Sequence, residues 1–161
     1  MAIPIKVLLA VFSVLLLAVS APSVSAQDGF FIAPALETAL FSAEKAAVGA
    51  GLAFGYDGGV TMGYRTLVFV DPDSVVTLEF CLFLRVYLPP GRRDGLFVQA
   101  AAGPSVFARH TPLIPPKVSA TSAGVGVGWR FPLANSLYIE PTLRLGYPYI
   151  IGAGVSAGYR F

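Results

Sequence analysis

From Ile151 to Phe161 the chain alternates between two chemistries. Ile151, Ala153, Val155, Ala157, Tyr159 and Phe161 are apolar or aromatic, whereas Gly152, Gly154, Ser156, Gly158 and Arg160 are small or charged. A period of two over this length predicts one β-strand with unlike faces. The pattern recurs upstream. In Val75 to Leu88, Val76, Leu78, Phe80, Leu82, Leu84, Val86 and Leu88 oppose Thr77, Glu79, Cys81, Phe83, Arg85 and Tyr87. In Ala120 to Phe131, Ala123, Val125, Val127, Trp129 and Phe131 oppose Ser122, Gly124, Gly126, Gly128 and Arg130. In Ala47 to Tyr56, Ala50, Leu52, Phe54 and Tyr56 oppose Gly49, Gly51, Ala53 and Gly55.

Turn chemistry separates these runs. Asp57-Gly58-Gly59, Asp71-Pro72-Asp73-Ser74, the Pro89 to Gly95 segment and the Pro132 to Ser136 segment each end a strand. Arg109 to Lys117, with three prolines, is the longest expected loop. The remaining expected strands are Phe30 to Leu40, Val60 to Val70, Leu96 to Phe107 (weakened by Pro104) and Leu137 to Tyr147. Eight strands with short links predict an all-β, up-and-down antiparallel barrel. Gly124-x-Gly126-x-Gly128 is spaced like a phosphate loop, but its glycines share one strand face and no helix follows.

Composition narrows the setting. Hydrophobic residues make up 55% of the 161, charged residues 12%, and mean hydropathy is +0.71. No apolar run downstream of residue 26 is long enough for a helical span, since Glu79 and Arg85 interrupt the greasiest one. Near the start, Lys6, the apolar run Val7 to Val19 and the small residues of Val24-Ser25-Ala26 have the form of an export signal cleaved after Ala26. That leaves about 135 residues, one domain spanning 27–161. Without Lys6 the charges stand at ten basic against nine acidic, and no basic run with stacking aromatics suggests a nucleic-acid partner. Cys81 is the single cysteine, so no internal disulfide can form. No cofactor or metal is expected.

Alternation alone leaves open which face points inward. A soluble lipocalin-like barrel would enclose the bulky face. An eight-stranded barrel, however, has room only for ordinary side chains or one small ligand, and a glycine-lined exterior would suit water poorly. The bulky face is therefore expected to meet lipid, making the barrel transmembrane. The inward set then holds Glu37, Arg65, Glu79, Arg85, Arg130, Glu140, Arg144 and Arg160. Hairpin geometry suggests Arg65 opposite Glu79, and Glu140 beside Gly128 and Gly158, a diagonal step from Arg130 and Arg160. These charges could form a lumenal ion-pair network or line a thin wet channel unpaired. Phe54 and Tyr56, Trp129 and Phe131, and Tyr159 and Phe161 end three strands that descend to one rim, as an interfacial aromatic girdle requires.

These residues resemble the small outer-membrane barrels of diderm bacteria, the OmpA/OmpX/OmpW-like group, over Gln27 to Phe161. The resemblance implies that the ending, with Val155, Ala157, Tyr159 and Phe161, is read by the barrel-assembly machinery, with periplasmic chaperones as transient partners. It implies residence in the bacterial outer membrane among outer-membrane lipid, as a monomer, and likens the inward charges to the plug of OmpA-type barrels. The expected outer loops, Phe41 to Lys45, Asp71 to Ser74, Arg109 to Lys117 and Pro148 to Ile150, are short for an adhesive or receptor role, and no peptidoglycan-tethering domain is expected.

Three functions compete. The first is a non-catalytic structural protein or narrow pore for small polar solutes. The second is a lipid-acyl hydrolase or transferase built on His110, the only histidine, with Ser119, Thr121, Ser122 and Glu44 as candidate companions. The third is a binding protein, either a soluble periplasmic barrel or a membrane barrel binding or conducting an apolar ligand, as in the OmpW group.

Overall fold

The computed structural model describes residues 29–42, 45–73, 75–90, 93–109 and 117–161. The expected export segment 1–26, His110 and Glu44 lie outside the described residues.

The strands are β1 (Gly29–Ser42), β2 (Lys45–Asp57), β3 (Thr61–Val70), β4 (Val75–Leu88), β5 (Gly95–Arg109), β6 (Lys117–Pro132), β7 (Leu137–Tyr147) and β8 (Ile151–Arg160). Each pairs antiparallel with its sequence neighbours, and β1 pairs with β8 to close the barrel. Closure removes both sheet edges, so the strand backbone is satisfied within the chain. Bulky residues on adjacent strands fall on the same side because register is fixed in steps of two. Leu84 pairs with Ala100, Ala100 with Val125, and Val125 with Leu145.

Several boundaries differ from the sequence expectation. Asp57, expected in a turn, is the last residue of β2 and pairs with Gly29. β6 begins at Lys117 rather than Ala120. Pro104 does not break β5: the register between β5 and β6 shifts between Gly103 and Ser105, a local irregularity that accommodates a residue unable to donate to the ladder.

The bulky faces point outward. Leu82 is 68% exposed and Val125 61%, and Trp129 and Val155 are exposed as well. Glu79, Arg85, Arg130 and Glu140 are buried. The interior is less uniformly small than the alternation suggests, because Phe31, Leu67, Phe69, Phe83, Tyr87, Phe97 and Tyr138 are buried too. Glycines on neighbouring strands make room for these rings. A Cβ at Gly128 would collide with the Phe97 ring, and one at Gly158 with the Tyr138 ring. Those two glycines thus clear space for aromatic rings that in turn stack on the guanidiniums of Arg85 and Arg130.

Candidate functional site: the ionic lumen

Two groups of charges occupy the interior. In the first, Arg144 on β7 donates from Nε to Glu37 on β1 and from Nη1 to Glu79 on β4 at 3.2 Å. Gly152 on β8 makes this possible, since a Cβ there would lie 2.5 Å from Glu37 Oε1 and 3.0 Å from the Arg144 side chain. Arg65 belongs to the same electrostatic group as Glu37, Glu79 and Arg144. It does not stand opposite Glu79, because the β3–β4 register pairs Arg65 with Cys81 and Leu67 with Glu79. Its Nε has no hydrogen-bond partner.

The second group lies toward the end of the barrel that carries the β2–β3, β4–β5 and β6–β7 turns. Glu140 Oε1 accepts from Arg85 Nη1 at 2.6 Å and from Arg130 Nε at 2.5 Å. Its Oε2 accepts from Ser156 at 3.3 Å. The β6–β7 ladder pairs Phe131 with Ile139 and so sets Arg130 alongside Glu140, while the β7–β8 ladder pairs Glu140 with Ser156. Both ladders differ from the expected alignment with Gly128 and Gly158. The turns, whose true lengths are not encoded by alternation, decide this slip. Arg160 consequently reaches Asp57 rather than Glu140, donating from Nε at 3.1 Å. Arg130 Nη1 donates to the same Asp57 oxygen.

Arg130 and Glu140 are only 1% and 2% exposed, so these are desolvated ion pairs with aromatic faces supplying part of the missing solvation. The Arg85 guanidinium sits 3.9 Å from the Phe97 ring centroid, and that of Arg130 3.9 Å from Tyr138. Cation–π contacts of this kind contribute roughly 0.5–2 kcal/mol each. Arg85 also donates to Gln99 at 3.1 Å and to the Tyr87 hydroxyl at 3.3 Å. Between the two groups, Glu37 and Arg65 on one side and Arg85 and Glu140 on the other bound a cavity of about 40 Å³. That is room for one or two waters.

At the opposite end, Tyr149 from the β7–β8 hairpin folds inward. Its ring lies 4.4 Å from Phe41, 4.7 Å from Phe69 and 4.5 Å from the Arg144 guanidinium. Burial pushes its hydroxyl above the ordinary phenol range, so it caps the charges as a neutral group.

Asp57, Gln99, Tyr138 and Tyr149 are among the described interior residues that sequence reasoning did not assign to the lumen. Asp57 sat in an Asp-Gly turn signal. The parity of Tyr87, on the charged face of β4, was the available clue to the ring lining.

The residues expected in the aromatic girdle lie on the outer face near one rim. Phe54, Tyr56, Trp129, Phe131 and Phe161 are exposed, and Trp129 stands 6.1 Å from Phe131. Tyr159 differs: register places it outward, yet it is only 6% exposed, with the Phe161 ring 5.1 Å away. Val155 is exposed and Ala157 half-buried on the same face.

Of the candidate hydrolytic residues, His110 and Glu44 lie outside the described residues, and Thr121 and Ser122 are the ones whose side chains are described. The Ser122 side chain is buried beside Cys81, with Oγ and Sγ 3.0 Å apart, while Thr121 is exposed. Among the described residues no group of His, Cys, Asp and Glu is arranged to hold a metal ion.

No protein-family model matches the sequence, and no curated protein matches it. Solved structures do. Neisserial surface protein A superposes with a TM-score of 0.61 at 12% identity, over 86% of this chain and 98% of that one. The N-terminal β-barrel domain of Pseudomonas aeruginosa OprF gives 0.55 at 14% identity, over 84% and 100%. The chain shares the fold of these small barrels. A designed transmembrane β-barrel also matches, with a TM-score of 0.52 at 13% identity over 86% and 100%. At such identities the likeness concerns backbone architecture, and the ionic lumen has to be read from this chain's own residues.

Proposed function

We propose that the protein is an integral outer-membrane barrel with a structural, non-catalytic role, its lumen closed by the two ionic groups. The observation that carries this reading is the division of the closed barrel into a bulky apolar exterior and an interior of paired charges. Strands of 10 to 16 residues are long enough to cross a bilayer when tilted. The exterior bears a shallow apolar groove of about 680 Å³ over β4 to β8, lined by Leu84, Val98, Ala100, Val125, Leu143 and Leu145. In water this would be a large exposed apolar patch; against acyl chains it carries no penalty. The neighbouring folds named above are consistent with that placement.

The short outer hairpins belong on the cell-surface side and the strand-end aromatics at the periplasmic interface, with residues 1–26 acting as the export signal. Val155, Ala157, Tyr159 and Phe161 supply the assembly signal, and the barrel works as a monomer in outer-membrane lipid. The first test is fractionation combined with heat-modifiable gel migration; recovery in the soluble periplasmic fraction would refute the membrane placement. The second is planar-bilayer recording of the refolded protein. A silent bilayer is expected, because side chains of both groups fill the bore. Steady conductance would replace the structural role with that of a narrow pore, its path running through the small cavity between Arg65 and Arg85.

A further inference from the structure

The mouth of the barrel that carries the β7–β8 hairpin is stopped by an apolar plug above the ion pairs. Tyr149, Phe69, Leu67, Ala39 and Ala47 form one buried cluster there, with Phe41 packed against it. Its parts are held unequally. Phe69 stands in the regular β3–β4 ladder opposite Thr77. Gly49 on β2 clears the space for its ring, since a Cβ there would come within 2.5 Å of it. Phe41 lies where the β1–β2 register is irregular, between Leu40 and Ser42. Tyr149 lies outside the ladders of the described strands: β7–β8 pairing ends at Leu145 with Ile151, and β6–β7 pairing at Tyr147 with Ala123. A backbone bond from Ile150 N to Leu40 O, 2.8 Å long, ties the hairpin tip to β1.

We propose that Tyr149 is a lid: its ring leaves Phe41 and Phe69 when the β7–β8 hairpin swings, while the strand ladders stay intact. Local opening draws on the parts of a fold with the fewest ordered contacts. Here the two rings that complete the seal, Phe41 and Tyr149, both lie off the regular ladders, whereas the Phe69 floor does not. The closed state excludes water because an apolar constriction in a narrow bore stays dry. Underneath lies Arg144, its guanidinium 4.5 Å from the Tyr149 ring centroid and bonded to Glu37 and Glu79. Opening exchanges a stacking contact for hydration of that guanidinium, which offsets part of the cost of moving the ring. The Arg85, Glu140 and Arg130 group beyond still fills the bore, so an open lid gives a blind polar vestibule rather than a through-path. The lid is a property of the closed barrel, and only its facing the cell surface rests on the topology proposed above. Steady conductance in a bilayer would displace the structural role and leave the lid untouched.

The full chain carrying Cys81→Ser and Ala39→Cys, refolded into a non-ionic maltoside detergent, would be labelled with a charged thiol reagent. The labelling rate would be followed over urea concentrations below the unfolding midpoint. Ala39 is buried in the plug and pairs with Gly152, next to the hairpin; Cys81, the chain's single natural thiol, is removed. Slow labelling at a rate nearly flat in urea is expected, the mark of a local opening that exposes little surface. Tyr149→Ala should quicken it by roughly tenfold, the factor that two ring–ring contacts contribute to an equilibrium. Tyr149→Phe, which keeps the ring, should leave it unchanged. Thr77→Cys, buried opposite Phe69 and close in size, takes the place of Ala39→Cys if the added sulfur prevents folding. Labelling with the full urea dependence of global unfolding, or an unchanged rate in folded Tyr149→Ala, would overturn the lid.

Discussion

Glu140 is the residue on which the interior should depend most. It holds Arg85 at 2.6 Å, Arg130 at 2.5 Å and the Ser156 hydroxyl at 3.3 Å. Removing one partner of a buried ion pair costs about 3–5 kcal/mol, chiefly because the other charge is left desolvated. Glu140→Ala strands Arg85, whose remaining polar partners, Gln99 and Tyr87, are neutral. Arg130 keeps Asp57 and is stranded less. The expected loss is therefore about 3–5 kcal/mol for Ala. For Gln it should be roughly half, since the amide oxygen still accepts but carries no charge. Against a typical total stability of about 5–15 kcal/mol this is a large fraction. Urea unfolding from lipid vesicles, followed by fluorescence of Trp129, the only tryptophan, would measure it. A loss below about 1 kcal/mol for Glu140→Ala would refute the reasoning, because it is the value of a solvent-exposed pair and would mean that water bathes the group.

Other expectations concern the walls. Gly158→Ala should destabilise the barrel by about 1–3 kcal/mol through overpacking against the Tyr138 ring, whereas Gly59→Ala, with open space at its Cβ, should change little. Urea midpoints of the two variants check the contrast. Leu82→Arg, on the exposed face of β4, should cost roughly 2–4 kcal/mol in vesicles. The same change should cost much less in a detergent micelle, which deforms around a charge. Cys81, buried beside Ser122, should resist a charged thiol reagent in the folded barrel and react in urea; rapid labelling of folded protein would show an open, wet bore.

Much of the architecture is legible in local pattern because a β-strand declares its two faces residue by residue. The contrast of Val125, Val127 and Trp129 with Gly124, Gly126 and Gly128 is enough to place β6 in a wall and to say which side is bulky. Ion-pair partners are a different matter. They depend on register, and register depends on where each turn begins. Asp57 carries a turn residue's identity but ends β2, where it meets Arg130 and Arg160. Glu140 meets Arg130 because the β6–β7 turn starts and ends where it does, which no count of alternating positions reveals. The interior rings were hidden for a third reason. Phe97 and Tyr138 fit only because Gly128 and Gly158, on neighbouring strands, leave the space, and that complementarity is visible only after the strands are paired.

Trp129 offers the most direct test that the bulky face meets hydrocarbon. In the unaltered protein reconstituted into vesicles, lipids brominated along their acyl chains should quench its fluorescence, more strongly when the bromine lies near the headgroup than at the chain end. Aqueous iodide should quench it weakly. Strong iodide quenching together with indifference to every brominated lipid would contradict the membrane-facing exterior.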